Sequence, residues 1–159
     1  MSKKAYFVAA GCFIVGVFLG VGGAYFCGGA YSGKQIAEGL ALFKEMEIAE
    51  SGQRAFAAYQ HESPLVAIYA LSQYLDTLTK TEELAGENAV FMTKSGINFD
   101  TMLAHARLAK VYAAAGQPER STQEIAEALK RAKNARLKTI TNENTLTEIV
   151  TRIDKGATK

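Results

Sequence analysis

Residues 5–31 read AYFVAAGCFIVGVFLGVGGAYFCGGAY, without one charged side chain, directly behind Lys3 and Lys4. A helix rises about 1.5 Å per residue and a bilayer's hydrocarbon core is about 30 Å thick, so roughly 20 apolar residues cross it. The stretch predicts a transmembrane helix, which leaves residues 32–159 for one soluble domain.

Orientation follows from the flanks. Positive charge beside a span stays on the cytoplasmic side. Lys3 and Lys4 precede the stretch, whereas Lys34, Glu38, Lys44, Glu45 and Glu47 mix both signs beyond it. Residues 1–4 are therefore expected in the cytoplasm and the domain outside it, in the periplasm if the chain is bacterial. Two processed alternatives stay open. Gly28-Gly29-Ala30 offers small residues for signal cleavage, although the apolar run is long for a signal peptide. Ala9-Ala10-Gly11-Cys12 has the look of a lipobox, although most of the apolar run follows Cys12.

Within the stretch, Cys12, Gly16, Gly20, Ala24 and Gly28 recur every fourth position. Residues i and i+4 share a helix face, so these five form a groove of small side chains. Lipid gives membrane helices no hydrophobic reason to pair, and small faces that let backbones approach supply one instead. The five residues are the expected membrane helix–helix contact, with a second copy or with a foreign subunit. Tyr6 and Phe7 at one end, and Tyr25, Phe26 and Tyr31 at the other, suit interfacial aromatic belts.

Composition narrows the rest. The chain carries 18 Lys+Arg against 16 Asp+Glu, and the surplus of two is Lys3 and Lys4. The domain therefore lacks the net basic field that nucleic-acid binding uses, and no nucleic-acid partner is expected. Both cysteines lie inside the apolar stretch, so the domain has no disulfide and no thiolate metal site. His61 and His105 stand alone, without a second ligand at metal spacing. There is no glycine-rich phosphate loop and no nucleophile elbow. Glu82-Glu83 and Glu45-x-Glu47 are carboxylate pairs in polar surroundings, which read as solvated. No catalytic residue, metal or cofactor is expected.

The domain reads as all-α, since no period-two run occurs. Ile36, Leu40 and Phe43 open a helix over about Lys34–Gln60, softened at Ser51-Gly52 and continued by Ala55, Phe56, Ala58 and Tyr59. Ser63-Pro64 starts a second helix, because serine caps open N–H groups and proline at the first helical position has none to lose. Its apolar face, from Val66 through Leu71 and Leu75 to Leu78, predicts an end near Lys80. A long connection follows, broken again at Ser95-Gly96 and Asn98, in which Phe91 and Met92 are expected to dock on the helices or meet a partner. Asp100 is the expected cap of a third helix bearing Leu103, Leu108, Val111, Tyr112 and Ala115, ended by Gly116. Pro118 opens the fourth, with Ile125, Ala128, Leu129 and Ala132 on its face. Its end gathers Lys130, Arg131, Lys133, Arg136 and Lys138, which suits the negative end of a helix dipole. Thr145-x-x-Glu148 has capping-box spacing for a last helix that stops at Gly156.

Two stretches share one plan: a helix ending at Tyr59 or Tyr112, a short turn, Pro64 or Pro118, then an Ala-rich helix. In residues 102–135 this resembles the tetratricopeptide repeat family. Leu108-Ala109 stands at its Leu-Gly pair, Tyr112 at its Tyr, Gly116 at the turn, and Ile125 and Ala128 at the second helix's aromatic and Ala positions. His105 replaces its usual Trp, Ser121 its usual Ala, and Lys133 stands near its terminal Pro. The first unit, about residues 50–80, matches less well, and the two prolines are 54 residues apart instead of 34. The resemblance implies a small array of helical hairpins after the membrane helix, binding a protein partner in a helical groove without catalysis. Tyr59, Tyr112, Phe91 and Met92 are the candidate partner contacts.

Charge is uneven along the domain. Residues 32–87 carry 4 basic and 9 acidic side chains, and residues 88–159 carry 12 and 7. Such opposition orients association more than it stabilises folding. The expected function is thus a membrane-anchored interaction or scaffold module. The alternative is an accessory subunit of an integral-membrane complex, held through the small-residue face.

Overall fold

The computed structural model describes residues 39–84 and 92–156. The chain divides into two units, Met1–Leu40 and Ala41–Lys159, and the description that follows concerns the second. The apolar stretch, with Cys12, Gly16, Gly20, Ala24 and Gly28, lies outside the described residues, as does Phe91. Among the described residues, no helix is long and apolar enough to cross a membrane.

Five helices and no strand occupy the described residues: α1 (39–61), α2 (Pro64–Leu84), α3 (Lys94–Ala114), α4 (Pro118–Asn134) and α5 (Glu143–Gly156). α3 is the centre. Its Ile97, Ala104, Leu108, Val111 and Tyr112 join Ile48 and Ala55 of α1 and Ala67, Leu71, Tyr74 and Leu78 of α2 in one apolar cluster. Met102, Leu103 and Ala106 of the same helix join Ala128 and Ala132 of α4, Leu146 and Val150 of α5, and Ile140 in a second. A helix buried on both sides needs apolar residues all round, which is why α3 has no amphipathic stripe. Small residues let α4 come close: Ser121 Oγ donates to the Ala109 carbonyl at 2.9 Å, a hydrogen bond between the two helices.

Several boundaries differ from those the sequence suggested. α1 runs unbroken through Ser51-Gly52. Gly52 serves a contact instead of a bend, since a Cβ there would stand 3.1 Å from the Tyr74 ring and hydroxyl. α2 continues past Lys80 to Leu84, where Thr77, Thr79 and Thr81 turn their hydroxyls back onto carbonyls four residues earlier. α3 begins at Lys94 and not at Asp100. Thr93 is its cap, accepting from the Gly96 N–H at 3.1 Å. The turn-prone residues Ser95 and Asn98 are absorbed because each polar side chain finds a partner. Ser95 Oγ donates to the Ala135 carbonyl, and Asn98 donates to the Lys94 carbonyl while accepting from Arg131. Ala115, expected on the apolar face, is exposed.

α5 starts two residues before Thr145. Asn142 Oδ1 accepts from the Thr145 N–H at 3.0 Å, and Thr145 Oγ1 accepts from the Asn142 N–H at 3.2 Å. The reciprocal cap is therefore Asn142-x-x-Thr145, three residues upstream of the expected box, and Glu148 pairs with Arg152.

Gly116 and Pro118 behave as read. Gly116 takes φ +72°, its N–H donates to Ala113, and the Gln117 N–H donates to Tyr112. That is the Schellman arrangement, which closes a helix through one left-handed residue. The same bonds end α4, from Arg136 to Lys133 and from Leu137 to Ala132, but the left-handed residue is Arg136 at φ 59°. A Cβ in that region is crowded by the carbonyl, and glycine relieves it. Arg136→Gly should raise the stability by about 0.5–1 kcal/mol, and Asn142→Ala should lower it by about 1 kcal/mol. Urea unfolding of the detergent-solubilised chain measures both.

Candidate functional site

The described surface carries a groove of about 540 Å³ beside α1 and α3. Leu42, Met46 and Ile48 of α1, Tyr74 of α2, Leu103 of α3 and Met92 line it. Three charged side chains line it: Glu45, Asp100 and Arg107. The volume falls within the range of ligand and side-chain pockets, in which a few polar groups in apolar walls set orientation.

Each polar group is held. Glu45 Oε1 accepts from the Met92 backbone N–H at 2.9 Å, which ties the segment leading into α3 to α1. Asp100 accepts from the Tyr74 hydroxyl. Burial pushes the Asp100 carboxyl above the usual carboxylate range, against the lowering effects of Tyr74 and of the Arg107 charge. Burial likewise pushes the Tyr74 hydroxyl up, with Asp100 adding to it.

Arg107 belongs to a network that crosses α1, α3 and α5. Its Nε and Nη2 donate to Asp154 Oδ1 at 3.1 and 2.8 Å. Tyr59 of α1 donates to Asp154 Oδ2 at 3.2 Å, and Lys110 Nζ lies 3.7 Å from the same oxygen while donating to Thr151. The guanidinium sits 4.4 Å from the centre of the Phe56 ring and 5.8 Å from that of Tyr59. Planar guanidinium suits this double role, because its face meets aromatic rings while its edge donates to the carboxylate. Burial, followed by the Asp154 charge, pushes the Tyr59 hydroxyl up to about 12.

The structure separates the expected partner contacts. Met92 lines the groove, half-buried. Tyr59 is half-buried and its hydroxyl is engaged by Asp154. Tyr112 is packed inside the first apolar cluster, 8% exposed, with the Arg120 guanidinium 5.6 Å from its ring centre. Its ring is therefore taken up by the domain's own packing and is not presented to a partner. His105 Nδ1 lies 2.6 Å from Glu124 Oε2, bridging α3 and α4. Among the described residues, no group of three or more His, Cys, Asp or Glu could hold a metal ion. In the basic cluster, Arg131 pairs with Glu82 at 2.7 Å and so joins α4 to α2, and Lys130 pairs with Glu127.

Sequence reasoning missed Arg107, Asp154 and Tyr74 as a set. One signal was available: Arg107 and Lys110 are basic residues set among the apolar positions of the third helix. Their acidic partner is 47 positions away from Arg107, which no local pattern reveals. Comparison with protein-family models, with curated proteins and with solved structures finds no match to the chain.

Removing a carboxylate that serves a partly buried arginine leaves that cation poorly compensated. Asp154→Ala should therefore cost about 2–3 kcal/mol in urea unfolding. A second prediction concerns alkaline pH. Tyr59 and Tyr74 titrate higher folded than their unfolded value of 10.0. The folded state thus holds more protons, and stability falls as pH rises from that value through the folded one. Melting temperature should drop above pH 10, with a shallower slope in Tyr59→Phe; equal slopes would remove Tyr59 from the effect.

Proposed function

We propose that the chain is a membrane-anchored helical interaction module without catalytic activity. Residues 5–31 anchor it, and the α-helical domain binds a protein partner on the extracytoplasmic side. The observation that carries the reading is the outer face of α1. Leu42, Phe43 and Met46 stand at helical spacing and are 42%, 72% and 59% exposed, and Leu42 and Met46 also line the groove. Contiguous apolar surface rimmed by charge marks interaction sites more often than solvent faces. Leu65, Val66 and Tyr69 at the start of α2 form a further exposed apolar stripe. The hairpins' resemblance to tetratricopeptide repeats agrees with this reading, since that family binds proteins through helical grooves.

A second reading is favoured by the spacing of Cys12, Gly16, Gly20, Ala24 and Gly28. On it, the chain is an accessory subunit held inside a larger membrane complex by that face, and the domain braces the assembly. Mild-detergent purification of the full-length chain from its native membrane separates the two. Phe43→Glu, a surface change expected to leave stability within about 0.5 kcal/mol, should release the co-purifying protein under the first reading. Gly16→Leu with Gly20→Leu should release it under the second. A partner retained by the Phe43 variant and lost from the glycine variant would overturn the first.

A further inference from the structure

The groove beside α1 and α3 shares Leu42 and Met46 with the exposed face that carries the protein-binding reading, but it adds charged groups that this face lacks. Its apolar walls come from Leu42, Met46, Ile48, Leu103 and Met92. Arg107 supplies a positive charge to the lining, but Asp154 already receives two of its N–H groups and the Phe56 ring lies beside it. Asp100 differs. It makes no ion pair among the described residues, and its side-chain hydrogen bond comes from Tyr74, a neutral donor. The closest formal cation acting on it is Arg107, two turns along the same helix and committed to Asp154. A cavity of about 540 Å³ with largely apolar walls thus has in its lining a carboxyl group, Asp100, that makes no ion pair among the described residues.

We propose that this cavity binds an apolar molecule carrying one protonated amine, with Asp100 as its counter-ion and Tyr74 holding the carboxylate in place. The apolar body of the ligand lies between Met46, Met92 and Leu103, where its burial supplies affinity at about 25 cal/mol per Å². The amine supplies selectivity, because a charge-assisted hydrogen bond in a partly desolvated site is stronger than a neutral one. An anionic ligand of the same shape meets the Asp100 carboxylate and is disfavoured. Gly52 contributes indirectly. The absence of a Cβ there admits the Tyr74 ring, and that ring positions Asp100.

The test uses the full-length chain in nanodiscs of zwitterionic lipid, with empty nanodiscs as the baseline for membrane partitioning. Three probes of one shape are titrated by calorimetry: phenylbutylamine, phenylbutanol and phenylbutyrate. The amine should bind about tenfold tighter than the alcohol, and the carboxylate should not bind. Asp100→Asn keeps an acceptor for Tyr74 and removes the charge, so amine and alcohol should then bind alike. Ala49→Phe fills the mouth of the groove from an exposed position on α1 and should abolish binding of both. Equal affinity of amine and alcohol for the unmodified chain overturns the proposal, as does an amine preference that survives Asp100→Asn, or no binding by either. Phe43 is absent from the lining, so Phe43→Glu should leave amine affinity unchanged and the two readings fail separately.

Discussion

Eleven of the 21 residues of α3 are buried, and eight of them are divided between two separate apolar clusters. Everything else in the domain is arranged by the need to cover this one helix. α1 and α2 close one side, and α4 and α5 the other. Close approach is the condition for coverage. It is met by small residues at the crossings: Ala104, Ala106 and Ala109 on α3, Ala128 and Ala132 on α4, and Gly52 on α1 under Tyr74. Packed interiors tolerate few voids, so side-chain size at these crossings sets helix separation more tightly than helix propensity does.

The polar network serves the same end by other means. α1 and α5 are joined through Asp154, which takes the Tyr59 hydroxyl from one side and Arg107 from the other. At the opposite end, Glu82, Arg131 and Asn98 join α2, α4 and α3. Both networks link helices far apart in sequence. Each puts a cation where its hydrogen bonds are met, which a partly buried charge requires if it is not to destabilise the fold. Arg107 of the first network also lines the groove, so that network helps fix the groove's shape.

Much of the architecture was legible in the residues. Pro64, Gly116 and Pro118 punctuate the chain through backbone restrictions that no tertiary contact alters, and the helices begin and end there. The periodicity of α4 is visible because that helix is covered on one face only. α3 was harder to read. A helix covered on both sides has no stripe, and its first five residues include Ser95, Gly96 and Asn98, which disfavour helix through backbone freedom at glycine and side-chain competition for backbone hydrogen bonds at serine and asparagine. Here Thr93, the Ala135 carbonyl and Arg131 satisfy that region from outside it, so the helix starts six residues earlier than Asp100. The cap of α5 was misplaced for a related reason. Thr145 can fill the first or the last position of a capping box, and only the burial of Leu146 and Val150 decides which.

By itself the sequence determined the all-α class and the helix punctuation at proline and glycine, and it raised the expectation of a membrane segment over residues 5–31. These follow from local chemistry: allowed backbone angles, apolar period and the length of an uncharged run. Tertiary structure alone decided that Asp100 lies in a groove wall instead of at a helix cap, that Tyr112 is inside, and that Arg107 meets Asp154. Each of those outcomes depends on which helix faces meet. That is a property of packing between distant segments, and no pattern within one helix encodes it.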